Sequence, residues 1–351
     1  MKAVTYTAYG PATDVLTVTP DFPDAVLLRV HAAGLNPVDH KRIAGTLRPF
    51  FPPPSASSPA VPGMDVAGVV TATSAVAVAG EPPPFPVGTR VFGCIPGGAL
   101  ADAVAAPASL LAAIPDGVSF VDAAATPLAC LTVLQCLRRL QGQVGAGPDR
   151  VIPSLLVTAG AGGTGSFAVQ LAKRILRVPR VVTTVSGAKV AVATALGADE
   201  VMDYQTMPVR GALTGARRVA AALDAVGSTV SLLPTITPGG AVVSIGGPLQ
   251  AGELGPWLPA GVPLYLRVAL ALLCAPVAVA AAVAGVAWSS LLLESKGSEL
   301  ADVAAWLADG SVVPLIDSVH DGLDGARAAY GVLMGGHATG KVVVRVVAEG
   351  G

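Results

Sequence analysis

The sequence predicts an α/β protein in two parts: a small β-rich barrel or sandwich, and a doubly wound parallel sheet with helices on both faces. Three observations carry this. Up to about Ala125, short β-like runs alternate with Gly and Pro turns, the texture of a small barrel or sandwich. From about Ser119 onward, strand patterns alternate with helical stretches, which implies parallel strands joined by crossover helices. Between two of these elements, "TAGAGGTGSFAVQLAK" (158–173) bends a glycine-rich backbone from an apolar strand into a helix. A length of 351 residues, with 52% hydrophobic and 13% charged residues, suits a folded chain of two domains or one large one.

In chain order, "KAVTYT", "AVLLRVHAAG", "DVAGVVTA" and "TRVFGCI" read as strands of the first part. "RPFFPPPSASSPAVPG" (48–63) and "AGEPPPFPVG" (79–88) are too proline-rich for regular structure and read as surface loops. "SFVDAAATPLACLTVLQCLRRL" has helical spacing. The second part follows as "SLLVTA", a helix through Ile175, "RVVTTVS", a helix through Leu196, "EVMDY", "AALDAVG" and "GAVVSIGG". After an apolar segment, "WSSLLLES" reads as the last strand of that sheet. "SELADVAAWLADG" is an amphipathic helix with Leu300, Val303, Ala304 and Leu307 on one face. A helix over "GLDGARAAYGVLMGG" and a strand over "GKVVVRVV" close the chain, and no internal repeat is present.

Lys and Arg number 22 against 23 Asp and Glu, a net charge of −1, so no global basic field points to nucleic acid. The four cysteines, Cys94, Cys130, Cys136 and Cys274, form no CxxC pair and match no zinc cluster or compact disulfide framework. Reduced thiols in a cytoplasmic protein are the plain reading. "MKAVTYTAYG" reads as a first strand rather than a signal peptide. One segment departs from this picture: "VALALLCAPVAVAAAVAGVA" (268–287) runs 20 residues without a charge. It is Ala- and Val-rich with Pro276 inside, a weak insertion signal. Helices buried in a domain or dimer interface are the favoured reading, with peripheral membrane contact as the alternative.

The bend reads Gly160-Ala161-Gly162-Gly163-Thr164-Gly165, a complete G-x-G-x-x-G between strand and helix. Gly160 would make the tight turn, Gly162 would let the backbone approach a pyrophosphate, and Gly165 would pack the helix against the sheet. The helix start offers free N–H groups and a positive dipole end to that anion. An NAD site places a carboxylate at the end of the second strand. Here that strand ends Ser186-Gly187-Ala188-Lys189. A cation and a hydroxyl, Lys189 and Ser186, suit the 2′-phosphate of NADPH; the alternative for Lys189 is a solvated helix-start lysine.

Seven segments in this order resemble the medium-chain dehydrogenase/reductase superfamily, in its zinc-independent quinone oxidoreductase (zeta-crystallin-like) and enone reductase branch. They are "AAGLNPVDHKRIAG", "VPGMDVAGVV", "VGTRVFG", "TAGAGGTGSFAVQLAK", "LGADEVMDY", "DAVG" and "GKVVV". The resemblance implies a Rossmann-type domain over 127–294 and a GroES-like catalytic domain over 1–126 and 295–351. Zinc-dependent members carry a Cys where Asn36 stands and a His where Met64 stands, and a third ligand near Leu128. None of these can replace a catalytic zinc ligand set, so no metal is expected.

Residue roles follow from the resemblance one at a time. Asn36 matches an asparagine beside the nicotinamide and substrate; the alternative is a turn-forming residue ahead of Pro37. Lys41 stands where a side chain often faces the nicotinamide, and is equally readable as a surface lysine. Thr132 matches a threonine near the carboxamide, unless its hydroxyl bonds within its own helix. Tyr204 matches a tyrosine flanking the 2′-phosphate, with core packing as the alternative. Gly246 and Gly247 end a strand where the sheet opens onto the cofactor. Val226 and Lys341 match weaker cofactor contacts. Asp39 reads as a helix cap.

The resulting expectation is hydride transfer from NADPH to a quinone, enal or enone in a cleft between the domains. Asn36, Lys41 and backbone N–H groups would stabilise negative charge on the substrate oxygen, with the proton coming from solvent. Pairing of the Trp288–Ser295 strand across a two-fold axis would make a homodimer. Two alternatives are a non-catalytic NADPH-binding sensor or RNA- or protein-binding module, and a membrane-associated oxidoreductase of lipid-soluble quinones.

Overall fold

A computed structural model of the chain describes residues 3–6, 16–19, 25–46, 60–73, 85–144, 151–258 and 261–347. Most of the loop expected over 48–63, and residues 79–84 of the second proline-rich loop, lie outside the described residues. The chain packs as two units: Met1–Leu128 with Ser295–Asp309 and Ile316–Gly351, and Ala129–Glu294 with Gly310–Leu315.

The first unit begins with an antiparallel pair, β1 (Ala3–Tyr6) and β2 (Leu16–Thr19). Then come β3 (Ala25–Leu35), β4 (Asp65–Thr73), β5 (Arg90–Cys94), β6 (Ala103–Pro107) and β7 (Leu111–Ala113). The last two were not read from the sequence, because Ala- and Pro-rich strands carry little β-propensity. The stretch with helical spacing over 119–140 forms two helices, Phe120–Ala124 and Pro127–Val144. Pro127 cannot donate an intrahelical hydrogen bond, so it opens the second helix rather than continuing the first.

The second unit holds β8 (Ser154–Val157), β9 (Arg180–Val185), β10 (Glu200–Asp203), β11 (Val219–Asp224), β12 (Ile236–Ser244) and β13 (Ala287–Ser290). All pair in parallel in the order β10-β9-β8-β11-β12-β13. This is the doubly wound order, with its switch point between the neighbours β8 and β11. Leu156, Val182, Ala222 and Val242, one from each central strand, share a core with Leu232, Leu233 and Ile236.

The chain then returns to the first unit through the helix Gly297–Ala308, which buries Leu300, Val303 and Leu307. β14 (Ile316–Asp321) and β15 (Lys341–Arg345) complete a seven-stranded sheet in the order β14-β15-β3-β4-β5-β7, with β6 also paired to β3. Leu28, Val30, Val66, Val91 and Leu111 fill its core.

The apolar segment is one continuous helix, Leu264–Val283, running through Pro276. Only Cys274 and Ala281 in it are buried. The expectation of burial in a domain or dimer interface is therefore corrected in its first half: the helix lies on the surface of its own unit. Composition is blind to this, since Ala and Val suit a buried core and an uncovered face alike.

Candidate functional site

The glycine turn leaves the carboxyl end of β8. Gly162 caps the helix Gly163–Gln170 in extended backbone, φ −85° and ψ 175°. Two of its glycines are required for different reasons. A Cβ on Gly160 would sit 1.9 Å from Thr183 Oγ1, and one on Gly165 2.1 Å from the Ala159 carbonyl oxygen. Gly160 stands in the tight turn, as expected, which the Gly162 N–H closes by donating to the Ala159 carbonyl at 2.8 Å. The left-handed residue of the turn is Ala159, with φ 55°, while Gly160 is bare because β9 packs directly on it. Its N–H donates to the Thr184 carbonyl at 3.0 Å, and the Ala159 N–H to Thr184 Oγ1 at 3.2 Å. Gly163, Thr164 and Gly165 form the first helical turn, whose N–H groups have no intrahelical acceptor.

At the end of β9, Ser186 starts a short 3-10 turn over Gly187–Lys189. The Tyr204 N–H donates to the Val185 carbonyl at 3.1 Å, which places half-exposed Tyr204 beside this turn. The parallel register also brings in a group the sequence reading missed. Asp203 pairs with Val185, and a Cβ on Gly187 would meet Asp203 Oδ2 at 2.8 Å. No carboxylate ends β9 itself, but the neighbouring strand supplies one beside the same turn. Only strand register reveals this, because the two segments are separated by a helix.

A second missed residue is Asp224, fully buried at the end of β11. Its Oδ1 accepts the N–H groups of Val226, Gly227 and Ser228 at 3.0–3.2 Å. Its Oδ2 accepts from the Thr229 hydroxyl at 2.6 Å and the Ser244 hydroxyl at 3.3 Å. Thr158, just past β8, accepts the Ala225 N–H at 2.8 Å. These bonds hold Val226 against Gly246: a Cβ on Gly246 would lie 2.6 Å from the Gly227 nitrogen and 2.8 Å from the Val226 carbonyl carbon. The loops after β8, β9, β10, β11 and β12 thus form one rim at the carboxyl ends of the strands, carrying Gly160–Gly165, Ser186, Lys189, Tyr204, Val226, Gly246 and Gly247. An Asp followed by Gly, Ser and Thr is an Asx-type turn signal that could have disclosed Asp224. Thr132 is buried in the helix Pro127–Val144.

In the first unit, Asn36 follows β3 and caps the helix Pro37–Ile43. Asn36, Asp65 and Lys341 are all buried, at 2%, 0% and 3% exposure. Asn36 Nδ2 donates to Asp65 Oδ2 at 2.8 Å. Lys341 Nζ donates to Asn36 Oδ1 and lies 3.2 Å from the same Asp65 oxygen. The remaining Asp65 oxygen accepts the Leu128 N–H at 2.8 Å. The network fixes which way the Asn36 amide points: its oxygen faces the ammonium and its nitrogen the carboxylate. Burial pushes the Asp65 carboxyl up, and the Lys341 ammonium opposes that shift. Asp39 Oδ2 accepts the Asn36 N–H at 3.0 Å, while Oδ1 is buried without a partner. Burial, with Asp65 nearby, raises Asp39 to about 7.

Lys41 is exposed on its helix, so the cation on the Asn36 amide is Lys341, a residue the sequence ranked only as a weak cofactor contact. Met64 is buried. Among the described residues, no three His, Cys, Asp or Glu side chains converge as a metal site. Asn36, Met64 and Leu128 offer zinc no ligand set, and the Asn36 amide is already engaged. All four cysteines are buried and free, and burial raises each thiol.

A family profile described as zinc-binding dehydrogenase matches residues 196–344, and one described as alcohol dehydrogenase GroES-like domain matches residues 22–116. The chain is 33% identical to the quinone-oxidoreductase homolog, chloroplastic, of Spinacia oleracea, over 98% of both proteins. It is 30% identical to the NADPH-dependent alkenal/one oxidoreductase, chloroplastic, of Arabidopsis thaliana, over 98% of this chain and 79% of that one. Among solved structures, the quinone oxidoreductase from Thermus thermophilus, described also in its complex with NADPH, matches with a TM-score of 0.66. It is 27% identical and covers 99% of this chain and 100% of that one.

Proposed function

The chain belongs to the medium-chain dehydrogenase/reductase superfamily, in its quinone oxidoreductase and enone reductase branch, and from that premise we propose that it is a metal-independent, NADPH-dependent reductase of quinones or α,β-unsaturated carbonyl compounds. The observation that carries this reading is the glycine turn. Its backbone is bare at the end of a central parallel strand, with an uncapped helix start behind it, which suits a pyrophosphate.

In this reading, Gly160, Gly162, Gly163, Thr164 and Gly165 hold the pyrophosphate through backbone N–H groups. Ser186, Lys189 and Tyr204 hold the 2′-phosphate; Thr132, Val226, Gly246 and Gly247 line the rest of the cofactor. When bound, NADPH supplies the hydride. Asn36 has a second amide hydrogen beyond the one given to Asp65, and this donates to the substrate oxygen as negative charge develops there. Lys341 acts through Asn36, holding its amide in the donating orientation, rather than on the cofactor. Lys41 takes no step. The free edge of β13 supports a homodimer, which light scattering would test.

The test is NADPH oxidation against small quinones, 2-alkenals and enones, with NADH and added zinc as controls. NADPH turnover unaffected by zinc is expected. Lys189→Ala lowers the preference for NADPH over NADH about tenfold, by loss of one charge-assisted contact. Asp203→Asn raises that preference by removing a repelling carboxylate. Clear preference of the unmodified chain for NADH overturns the cofactor assignment. Binding of NADPH without turnover of any acceptor overturns the reductase reading.

A further inference from the structure

We propose that the helix Leu264–Val283 is a docking surface for an anionic lipid membrane, lying in the plane of the interface. This goes beyond the reductase reading and does not depend on it. The helix has a mean hydropathy of 2.3 in its most apolar window, of which only 11% is buried. A core helix would be covered. Here 14 of the 20 residues are exposed, and 13 of those are apolar or Tyr, including Leu264, Leu272, Leu273, Val279 and Val283. Arg267 is the only charge. An apolar face this wide and continuous is unlike a solvated surface.

The helix cannot leave its unit to cross a bilayer. Cys274 and Ala281, seven residues apart on one face, are buried, and Cys274 Sγ meets the Leu249 carbonyl at 3.5 Å. Ala281 packs into the same core as Val242 and Val286, and the chain then enters β13. An interfacial helix normally carries its own polar face; here the protein body takes that side. Its length of about 30 Å, at roughly 1.5 Å per residue, is presented sideways to the lipid.

Charge complements an anionic lipid surface. The unit bearing the helix has 12 Lys and Arg against 7 Asp and Glu, a net charge of +5, while the rest of the chain has 10 against 16, a net −6. An anionic lipid surface is attracted to the same unit. Arg267 stands in the first helical turn next but one to Tyr265, the pair of side chains suited to a headgroup boundary.

The test is co-sedimentation of the full chain with vesicles of phosphatidylcholine alone and of phosphatidylcholine with one quarter phosphatidylglycerol, at low and high salt. Binding is expected to the anionic vesicles, weakened but not abolished by salt. The double variant Leu272→Glu/Leu273→Glu, on the exposed face, should lower partitioning about a hundredfold, roughly tenfold for each lost Leu. Val279→Asp, two turns away, should act in the same direction. Thermal unfolding of the variants, unchanged from the parent, shows that the fold is intact. A parent chain that stays in the supernatant with both vesicles overturns the proposal, as do variants that sediment like the parent. A parent dimer that these variants convert to monomer, without vesicle binding, assigns the face to a second copy instead.

Discussion

Lys341→Met separates the stability role of the buried network from its chemical role. The substitution removes the ammonium from two groups that cannot reach water, Asp65 Oδ2 and Asn36 Oδ1, in a cluster at most 3% exposed. Removing one member of a buried ion pair costs about 3–5 kcal/mol, because the partner charge is left uncompensated. At a urea slope of about 2–3 kcal/mol per molar, the midpoint for the first unit falls by roughly 1–2 M. Adding Asp65→Asn removes the stranded charge. The new amide oxygen still accepts the Leu128 N–H, and its nitrogen can donate to the Asn36 oxygen once the Asn36 amide has flipped. Stability should therefore return to within about 1–2 kcal/mol of the parent, a strongly non-additive cycle. Reductase turnover should not return, because the flipped amide presents the wrong atom to the substrate. A Lys341→Met cost below about 1 kcal/mol, or additive single and double variants, would refute the network as described. Recovered turnover in the double variant would refute the positioning role.

Three further predictions concern neighbouring features. Asp39 is raised to about 7 in the folded chain from 3.8, so the folded state binds the proton more tightly than the unfolded one. Stability contributed by this group is present below pH 4 and lost as pH rises toward 7, by about 4 kcal/mol for three pK units. Asp39→Asn keeps an acceptor for the Asn36 N–H and should flatten that slope in denaturation curves taken across this window; an unchanged slope would assign it to Asp65. Gly160→Ala drives a Cβ to within 1.9 Å of Thr183 Oγ1 and should weaken NADPH binding and stability together, with Thr183→Ala restoring part of both; absence of rescue would place the strain elsewhere. Ala159 sits at φ 55°, so Ala159→Gly should stabilise the chain by about 1 kcal/mol in thermal unfolding, and a loss of stability would contradict the turn geometry.

The sequence by itself determined the parallel sheet, the glycine turn and the place of Asn36, because each is written in contiguous residues: alternating strand and helix patterns, bare backbone before a helix start, a strand end ahead of Pro37. It also located the apolar segment at 264–287. Tertiary structure alone decided what those residues meet. Lys341 reaches Asn36 across 305 positions, and the pairing of β15 with β3 puts them side by side. Asp203 comes to Gly187 only through the register of β10 on β9, Ala159 takes the left-handed backbone, and Gly160 lies against Thr183 of β9. The uncovered face of Leu264–Val283 was likewise invisible in composition. Local pattern encodes which element forms, whereas burial, charge pairing and exposure are properties of neighbours that only the folded chain brings together.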